Sequence, residues 1–217
     1  MKSITQANTK ESSLVSRELR ARVPALYQQG KDVETIADFL SLEPETVQAV
    51  LDEAERHSRI VYVYADGPLP ATVIDVRNLT RKIEITNLTE ELTSRAFGVK
   101  ETPGWEDYEY FLESRCMPRS RYGIREELRD LGLDFYDPFV IVQKTRGRVY
   151  GDRQYLSRMS GEWILGYDEI LKNTKEGSER TEKLKEYLRK SEGAWKLDEG
   201  QYGRKVPDEN TGGQDIL

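Results

Sequence analysis

Apolar residues recur at helical spacing in the first quarter of the chain. The spacing predicts a helix over residues 14–29, a second over Val33–Leu40 that Asp32 caps, and a third that begins at Pro44. The side chains expected to form the core of this unit are Leu14, Leu19, Val23, Leu26, Val33, Ile36, Ala37, Leu40, Val47, Val50 and Leu51. Three helices in so little chain are expected to share one small core.

A turn of three residues, 41–43, joins the second and third helices, and the small Ala37 allows them to approach closely. This arrangement resembles the helix-turn-helix modules of bacterial regulators and of mobile-element proteins. A DNA-reading third helix would offer Thr46 and Gln48 to base edges and phosphates. The region is nevertheless acidic, with seven basic against ten acidic residues between positions 10 and 60. DNA reading and a role as a helical interaction or dimerisation module therefore both stay open.

β-Branched and aromatic residues mark three strands after this unit. They are predicted over residues 60–64, 71–76 and 82–86, and residues 66–68 form the turn between the first two. Three such strands make a small antiparallel sheet, which needs a helical layer in order to be stable.

Five further helices are predicted between residues 89 and 159 from capping residues and apolar spacing. The first begins at Thr89 with Leu92 and Phe97 inward, and the second begins at Trp105 with Tyr108, Phe111 and Leu112 inward. The third begins at Ser120 or Arg121 with Ile124, Leu128 and Leu131 inward. The fourth begins at Pro138 behind the cap Asp137, and the fifth runs through Gln154, Tyr155 and Leu156 behind the cap Asp152. The aromatic stripe that begins at Trp105 is typical of a core-facing surface. A base-stacking platform would need those rings exposed beside cations.

An arginine row is the feature of this region that a core does not explain. At about 100° per residue, three arginines at i, i+4 and i+8 lie beside the buried face of the predicted helix. The row consists of Arg121, Arg125 and Arg129, with Arg115 and Arg119 before it. Residues 111–158 hold ten Lys or Arg against seven Asp or Glu, in a chain of net charge −6. The row either pairs with neighbouring carboxylates and covers apolar surface, or binds nucleic-acid phosphate or an acidic protein surface.

The same region resembles a segment near the start of HipA-like proteins of Gram-positive bacteria. The positions that fit the order and spacing of that segment are Arg115, Pro118, Ser120, Arg121, Gly123, Ile124, Arg125, Lys144, Gly147 and Asp152. Residues 86–88, 96–98 and 111–119 are similar to small proteins of Gram-positive mobile elements. HipA-like proteins are kinases through a much longer C-terminal body, and the chain ends before such a body. The resemblance therefore implies a small helical module and not a kinase.

These patterns predict an α+β fold that is mainly α. Its expected parts are a helix-turn-helix-like helical module, a small antiparallel sheet, a C-terminal helical domain and a charged tail. The expected boundaries are a disordered start at 1–13, the helical module at 14–59, the sheet with its helical domain at 60–159, a charged helical extension at 160–192 and a disordered tail at 193–217.

No set of residues assembles an active site in the sequence. Cys116 is the only cysteine and His57 the only histidine, so no disulfide, zinc cluster or nucleophile paired with a histidine base is expected. No apolar run has the form of a signal peptide or of a membrane span, which favours a cytoplasmic protein. We expect neither enzymatic activity nor a cofactor or metal.

The favoured hypothesis is a non-enzymatic accessory or regulatory protein of a mobile genetic element. Its partner would be nucleic acid or a nucleic-acid-handling protein, and a homodimer stays open. The residues expected to bind the partner are Arg115, Arg119, Arg121, Arg125, Arg129, Thr46 and Gln48. The alternative is an acidic inhibitor of a host defence nuclease, of the anti-CRISPR type or a DNA mimic. Mimicry predicts one exposed band made of Glu43, Glu45, Asp52, Glu53 and Glu55.

Overall fold

The computed structural model describes residues 16–159 and 175–191, which form seven helices and a four-stranded sheet. The elements in chain order are α1 (Arg17–Gln28), α2 (Val33–Leu40), α3 (Pro44–Ser58), β1 (Arg59–Asp66), β2 (Leu69–Arg77), β3 (Lys82–Asn87), α4 (Trp105–Ser114), α5 (Ile124–Asp130), α6 (Pro138–Thr145), β4 (Gln154–Arg158) and α7 (Lys175–Lys190). The predicted α+β, mainly α class is confirmed. The sequence-based expectations for residues 1–15, 160–174 and 192–217 lie outside the described residues.

The three N-terminal helices form as their caps and apolar spacing predict. The Asp32 carboxylate accepts a hydrogen bond from the Thr35 N–H at 2.7 Å and so satisfies one of the free donors at the start of α2. Val23, Ile36 and Val47 are fully buried in the core that the helices share. Leu79, from the turn between β2 and β3, completes this core and joins the helical unit to the sheet.

The sheet has the strand order β3-β2-β1-β4, and every neighbouring pair is antiparallel. Side chains alternate between its two faces, and both faces are covered. On one face, Tyr62 and Tyr64 of β1 pack in the cluster that contains buried residues of α4, α5 and α6. On the other face, Val61 and Val63 pack in the cluster that contains Leu184 of α7. The sheet therefore lies between two helical layers.

The charged helix α7 is bound to the sheet by a narrow buried strip. Leu184 is 4% exposed. The buried Arg180 guanidinium donates to the Pro70 carbonyl oxygen at 3.2 Å. The Tyr187 hydroxyl donates to the Asp75 carboxylate at 3.1 Å, and Asp75 also pairs with Arg59. The rest of the helix faces solvent, which explains how so polar a sequence forms an ordered layer.

The helix predicted from Thr89 is wrong, because residues 89–91 are irregular and residues 92–99 form turns. The buried Arg95 guanidinium donates to the Thr89 carbonyl oxygen at 2.7 Å and pairs with Glu90 and Glu101. These bonds fold the segment around one side chain, and Leu92 is left 47% exposed instead of facing inward.

The helix predicted after Asp152 is also wrong, because Gln154–Arg158 form the strand β4. The segment pairs with the free edge of β1, where Leu156 lies opposite Tyr64. Leu156 is 2% exposed and belongs to the main core. Pairing along the sheet edge thus overrides the local capping signal.

Candidate functional site

The predicted arginine row is only partly present. Gly123 has a left-handed backbone with φ of 81° directly before α5, so the helix begins at Ile124 and Arg121 lies outside it. Arg125 and Arg129 lie on the helix and are exposed. The Arg121 side chain pairs with Glu127 at 3.0 Å. The three arginines therefore do not form one continuous helical stripe.

The structure separates Arg115 from the other predicted site residues, because its guanidinium is buried and fully engaged. Its Nε donates to the Gly147 carbonyl oxygen at 2.9 Å, and its Nη2 donates to the Gln154 carbonyl oxygen at 2.9 Å. Its Nη1 donates to an oxygen of the Asp152 carboxylate at 2.6 Å. The side chain is 8% exposed. Arg115 is thus an internal brace and not part of a binding surface. Arg119 remains exposed, with its guanidinium 4.8 Å from the centre of the Tyr136 ring.

The buried brace supports a strongly basic surface loop between α6 and β4. Residues 144–153 carry four cations and a single carboxylate, that of Asp152. We call residues 144–153 the basic loop. It begins in the last turn of α6 and carries the exposed cations Lys144, Arg146, Arg148 and Arg153. Because Arg115 neutralises the Asp152 carboxylate from inside, and Asp66 pairs with only one of the four cations, the loop presents net positive charge to solvent.

The base of the loop has a tightly constrained backbone. Arg146 and Gly147 both have left-handed conformations, with φ of 56° and 59°. A left-handed backbone ends α6, and it is uncommon for a residue with a side chain such as Arg146. A Cβ placed on Gly147 would lie 2.8 Å from Leu156 Cδ1. Any side chain at position 147 would force Leu156 to move, so the glycine allows the chain to lie close against β4.

A hollow of about 550 Å³ adjoins the basic loop. Its lining includes Arg148, Tyr150, Arg153 and Tyr155. The Arg148 guanidinium lies 5.2 Å from the centre of the Tyr155 ring, and the Tyr150 ring is fully exposed. Arg153 pairs with Asp66 at 3.3 Å while its side chain stays 77% exposed. Sequence reasoning missed these residues, although the signal was present as cations and tyrosines close together between residues 144 and 158.

The aromatic stripe of α4 faces the core as predicted, since Tyr108, Phe111 and Leu112 are buried. A second hollow of about 550 Å³ lies beside Trp105 and the exposed Tyr110. Its lining carries the four carboxylates of Glu106, Glu109, Glu113 and Asp137. Negative charge of this density repels phosphate, so this hollow does not suit nucleic acid.

The helix-turn-helix-like unit does not present a basic face. Thr46 is half-buried, and the exposed Gln48 donates to the Asp52 carboxylate at 2.7 Å. Residues 16–58 hold five Lys or Arg against nine Asp or Glu. The exposed part of α3 thus offers carboxylates where a DNA-reading helix offers cations and amides.

The carboxylates proposed for DNA mimicry do not form one exposed band. Glu53 accepts a hydrogen bond from Arg20 at 2.8 Å, and Glu55 accepts one from the Thr80 hydroxyl at 2.7 Å. Glu43, Glu45 and Asp52 remain exposed. Two of the five carboxylates therefore hold the helical unit together or join it to the sheet.

Two features of the described residues bear on nucleophilic and metal chemistry. Cys116 is buried, and burial raises the pKa of its thiol to about 11, which keeps it protonated and unreactive at neutral pH. Within residues 16–159 and 175–191, no three His, Cys, Asp or Glu side chains are grouped to hold a metal ion. In the same ranges, no helix combines the length and the apolar character needed to cross a bilayer.

Comparison of the chain with protein-family models, with curated proteins and with solved structures finds no match. Any function proposed for the chain therefore rests on the geometry of the described residues.

The Asp152 carboxyl gives the loop an expected pH dependence. Burial acts to raise the pKa of Asp152, but the hydrogen bonds and charge of Arg115, together with backbone hydrogen bonds from Gln154 and Val149, outweigh it and hold the pKa below its usual range. A carboxylate of this kind stabilises the fold fully above its unfolded pKa of about 3.9, and the contribution is lost as pH falls through the folded pKa.

We therefore expect the difference in free energy of unfolding between the wild type and Asp152→Asn to stay constant between about pH 5 and pH 8. It should shrink below about pH 4. Urea denaturation at a series of pH values measures it. A difference that does not change at acid pH would contradict the pairing of Asp152 with Arg115.

Proposed function

We propose that the chain is a non-enzymatic accessory protein that binds the phosphate backbone of nucleic acid through the basic loop. The observation that carries this proposal is a group of four exposed cations with two neighbouring carboxylates, Asp152, which Arg115 neutralises from inside the fold, and Asp66, which pairs with Arg153. Arginine and lysine side chains in such groups bind phosphate by charge-assisted hydrogen bonds and release counterions from the nucleic acid.

The basic surface extends towards α5. The Lys144 Nζ lies 4.0 Å from the position that a Cβ on Gly132 would take, just beyond the C-terminal end of α5. Arg129 occupies the last turn of that helix and is exposed. The end of α5 that carries Arg129 thus lies beside Lys144.

A purely structural role explains only some of these cations. Lys144 and Arg146 lie at the C-terminal end of α6, where positive charge favours the helix dipole. Arg148 and Arg153 lie beyond the helix, where one lies over the Tyr155 ring and the other pairs with Asp66, and both stay exposed. Their position on either side of Tyr150, at the rim of an open hollow, favours an external anion.

The helical unit has a separate role in this proposal, namely contact with protein. Its acidic surface disfavours DNA, and Phe39 is 59% exposed with the Arg22 guanidinium 5.3 Å from its ring centre. An exposed aromatic ring beside an arginine is typical of protein interfaces. Nuclease inhibition by mimicry has less support, because Glu53 and Glu55 are engaged within the fold. The link to a mobile genetic element rests on the sequence resemblance alone.

Binding of a fluorescein-labelled 20-base-pair DNA duplex, followed by fluorescence anisotropy between 50 and 200 mM salt, tests the proposal. We expect the double variant Arg148→Ala/Arg153→Ala to bind about tenfold more weakly at 50 mM salt. The slope of log K against log salt should fall by about 1 for each phosphate contact removed.

The matched control is Arg17→Ala/Arg56→Ala, which removes the same charge from exposed positions of the helical unit. This control should bind like the wild type. No binding of this duplex or of a single strand of the same length at 50 mM salt, or equal losses in the two double variants, would overturn the proposal.

A further inference from the structure

We infer that the basic loop prefers single-stranded nucleic acid, with Tyr150 as the residue on which an unpaired base stacks. This inference rests on the proposed function and gives it a substrate class. The observation behind the inference is that aromatic rings lie among the cations of the loop. Phosphate binding alone does not require such rings.

Tyr150 is held outward at the tip of the loop. Its side chain is fully exposed, whereas Tyr62, Tyr64 and Tyr108 are buried in the core. Gly151 follows with φ of 95°, and a Cβ on this glycine would meet no atom within 4 Å. The chain therefore turns immediately after Tyr150, and the space beside the turn is open to a ligand.

A second planar surface lies on the wall of the same hollow. The Arg148 guanidinium lies over the Tyr155 ring, with its carbon 5.2 Å from the ring centre. Guanidinium and aromatic planes both stack on bases, and the pair would also bring a positive charge beside the sugar-phosphate chain. The hollow, at about 550 Å³, falls within the size range of small-molecule sites and is large enough for a nucleotide.

Duplex DNA cannot use these rings. Its bases are stacked on one another inside the helix, and only their edges reach the grooves. Specific reading of those edges in the major groove normally requires an inserted helix or two-stranded ribbon, whereas residues 146–153 form a short loop between α6 and β4. In a single strand the bases present open π-faces, so stacking and phosphate contacts act together.

Equal-length probes test the inference: a labelled 20-residue oligothymidylate, the corresponding oligouridylate, and a mixed-sequence 20-base-pair DNA duplex, each at 50 mM salt. We expect at least one single strand to bind more tightly than the duplex. Tyr150→Ala should weaken single-strand binding about tenfold and change duplex binding less than about twofold. Tyr150→Phe, which keeps the aromatic ring, should retain most of the affinity.

Tyr122→Ala is the matched control, because Tyr122 is also fully exposed but lies in the loop before α5. It should leave single-strand binding unchanged. If Tyr150→Ala binds like the wild type while Arg148→Ala/Arg153→Ala still loses affinity, the stacking inference fails and the proposed function stands. If the double arginine variant also binds like the wild type, both fail. Tighter binding of the duplex than of either single strand would likewise overturn the inference.

Discussion

Replacement of Arg115 by methionine is expected to lower the free energy of unfolding by about 3 kcal/mol. The guanidinium bonds to the Asp152 carboxylate and to the carbonyl oxygens of Gly147 and Gln154, and methionine can replace none of these bonds. The Asp152 carboxylate would lose its charge partner, and two carbonyl oxygens would lose a donor. The Asp152 side chain is 32% exposed and can regain contact with water. We therefore expect a loss of stability near the lower end of the range that is typical when a buried ion pair is broken.

Urea denaturation of Arg115→Met beside Arg125→Met measures this effect. Arg125 is exposed on α5, so its replacement should change stability by less than about 0.5 kcal/mol. Equal stabilities of the two variants would show that Arg115 is not a brace. We also expect Arg115→Met to weaken nucleic-acid binding although Arg115 is buried, because the basic loop would lose the support that fixes its cations.

The sequence shows the spacing of the arginines but not the surroundings of each one. Arg115 and Arg125 illustrate the difference. Both residues are charged and close in sequence, yet the carboxylate that pairs with Arg115 lies 37 residues away. Spacing along a helix reports which residues share a face and gives no information about distant partners. The prediction of which arginines share a helix face also depended on where the helix begins. The left-handed Gly123 excludes Arg121 from α5.

Local signals predicted most of the fold. The cap at Asp32, the Asp137-Pro138 start and the β-branched runs each act over a few residues, and the corresponding helices and strands are present. The two failures are segments decided by long-range contacts. One is residues 92–99, where Ser94 and Ala96 donate hydrogen bonds to side chains of β1 and β2, and the other is β4, which pairs with a strand about 90 residues earlier.

The basic loop was missed for a related reason. Its cations were counted with those of the whole 111–158 region, where carboxylates nearly balance them. The structure separates the charges, because Asp152 is neutralised internally by Arg115 and the acidic hollow beside Trp105 is lined by other residues. A local excess of charge becomes visible only when the fold shows which carboxylates share a surface with the cations.

Gly147→Ala is expected to lower the free energy of unfolding by about 2 to 4 kcal/mol, from overpacking together with a left-handed backbone. The new methyl group would lie 2.8 Å from Leu156 Cδ1 and 3.2 Å from Arg115 Cβ, and both neighbours belong to packed parts of the fold. Gly151→Ala is the matched control, because it has positive φ but nothing within 4 Å of the added carbon.

The control should lose only about 1 kcal/mol, the cost of the backbone conformation. Urea denaturation of both variants separates the two causes, and equal losses would show that close packing at Gly147 contributes nothing. The clash would push the loop away from Leu156 and Arg115, so Gly147→Ala should also bind nucleic acid more weakly than Gly151→Ala. The glycine at position 147 is therefore expected to link stability to binding, since the contact that holds the loop against β4 also fixes its cations in place.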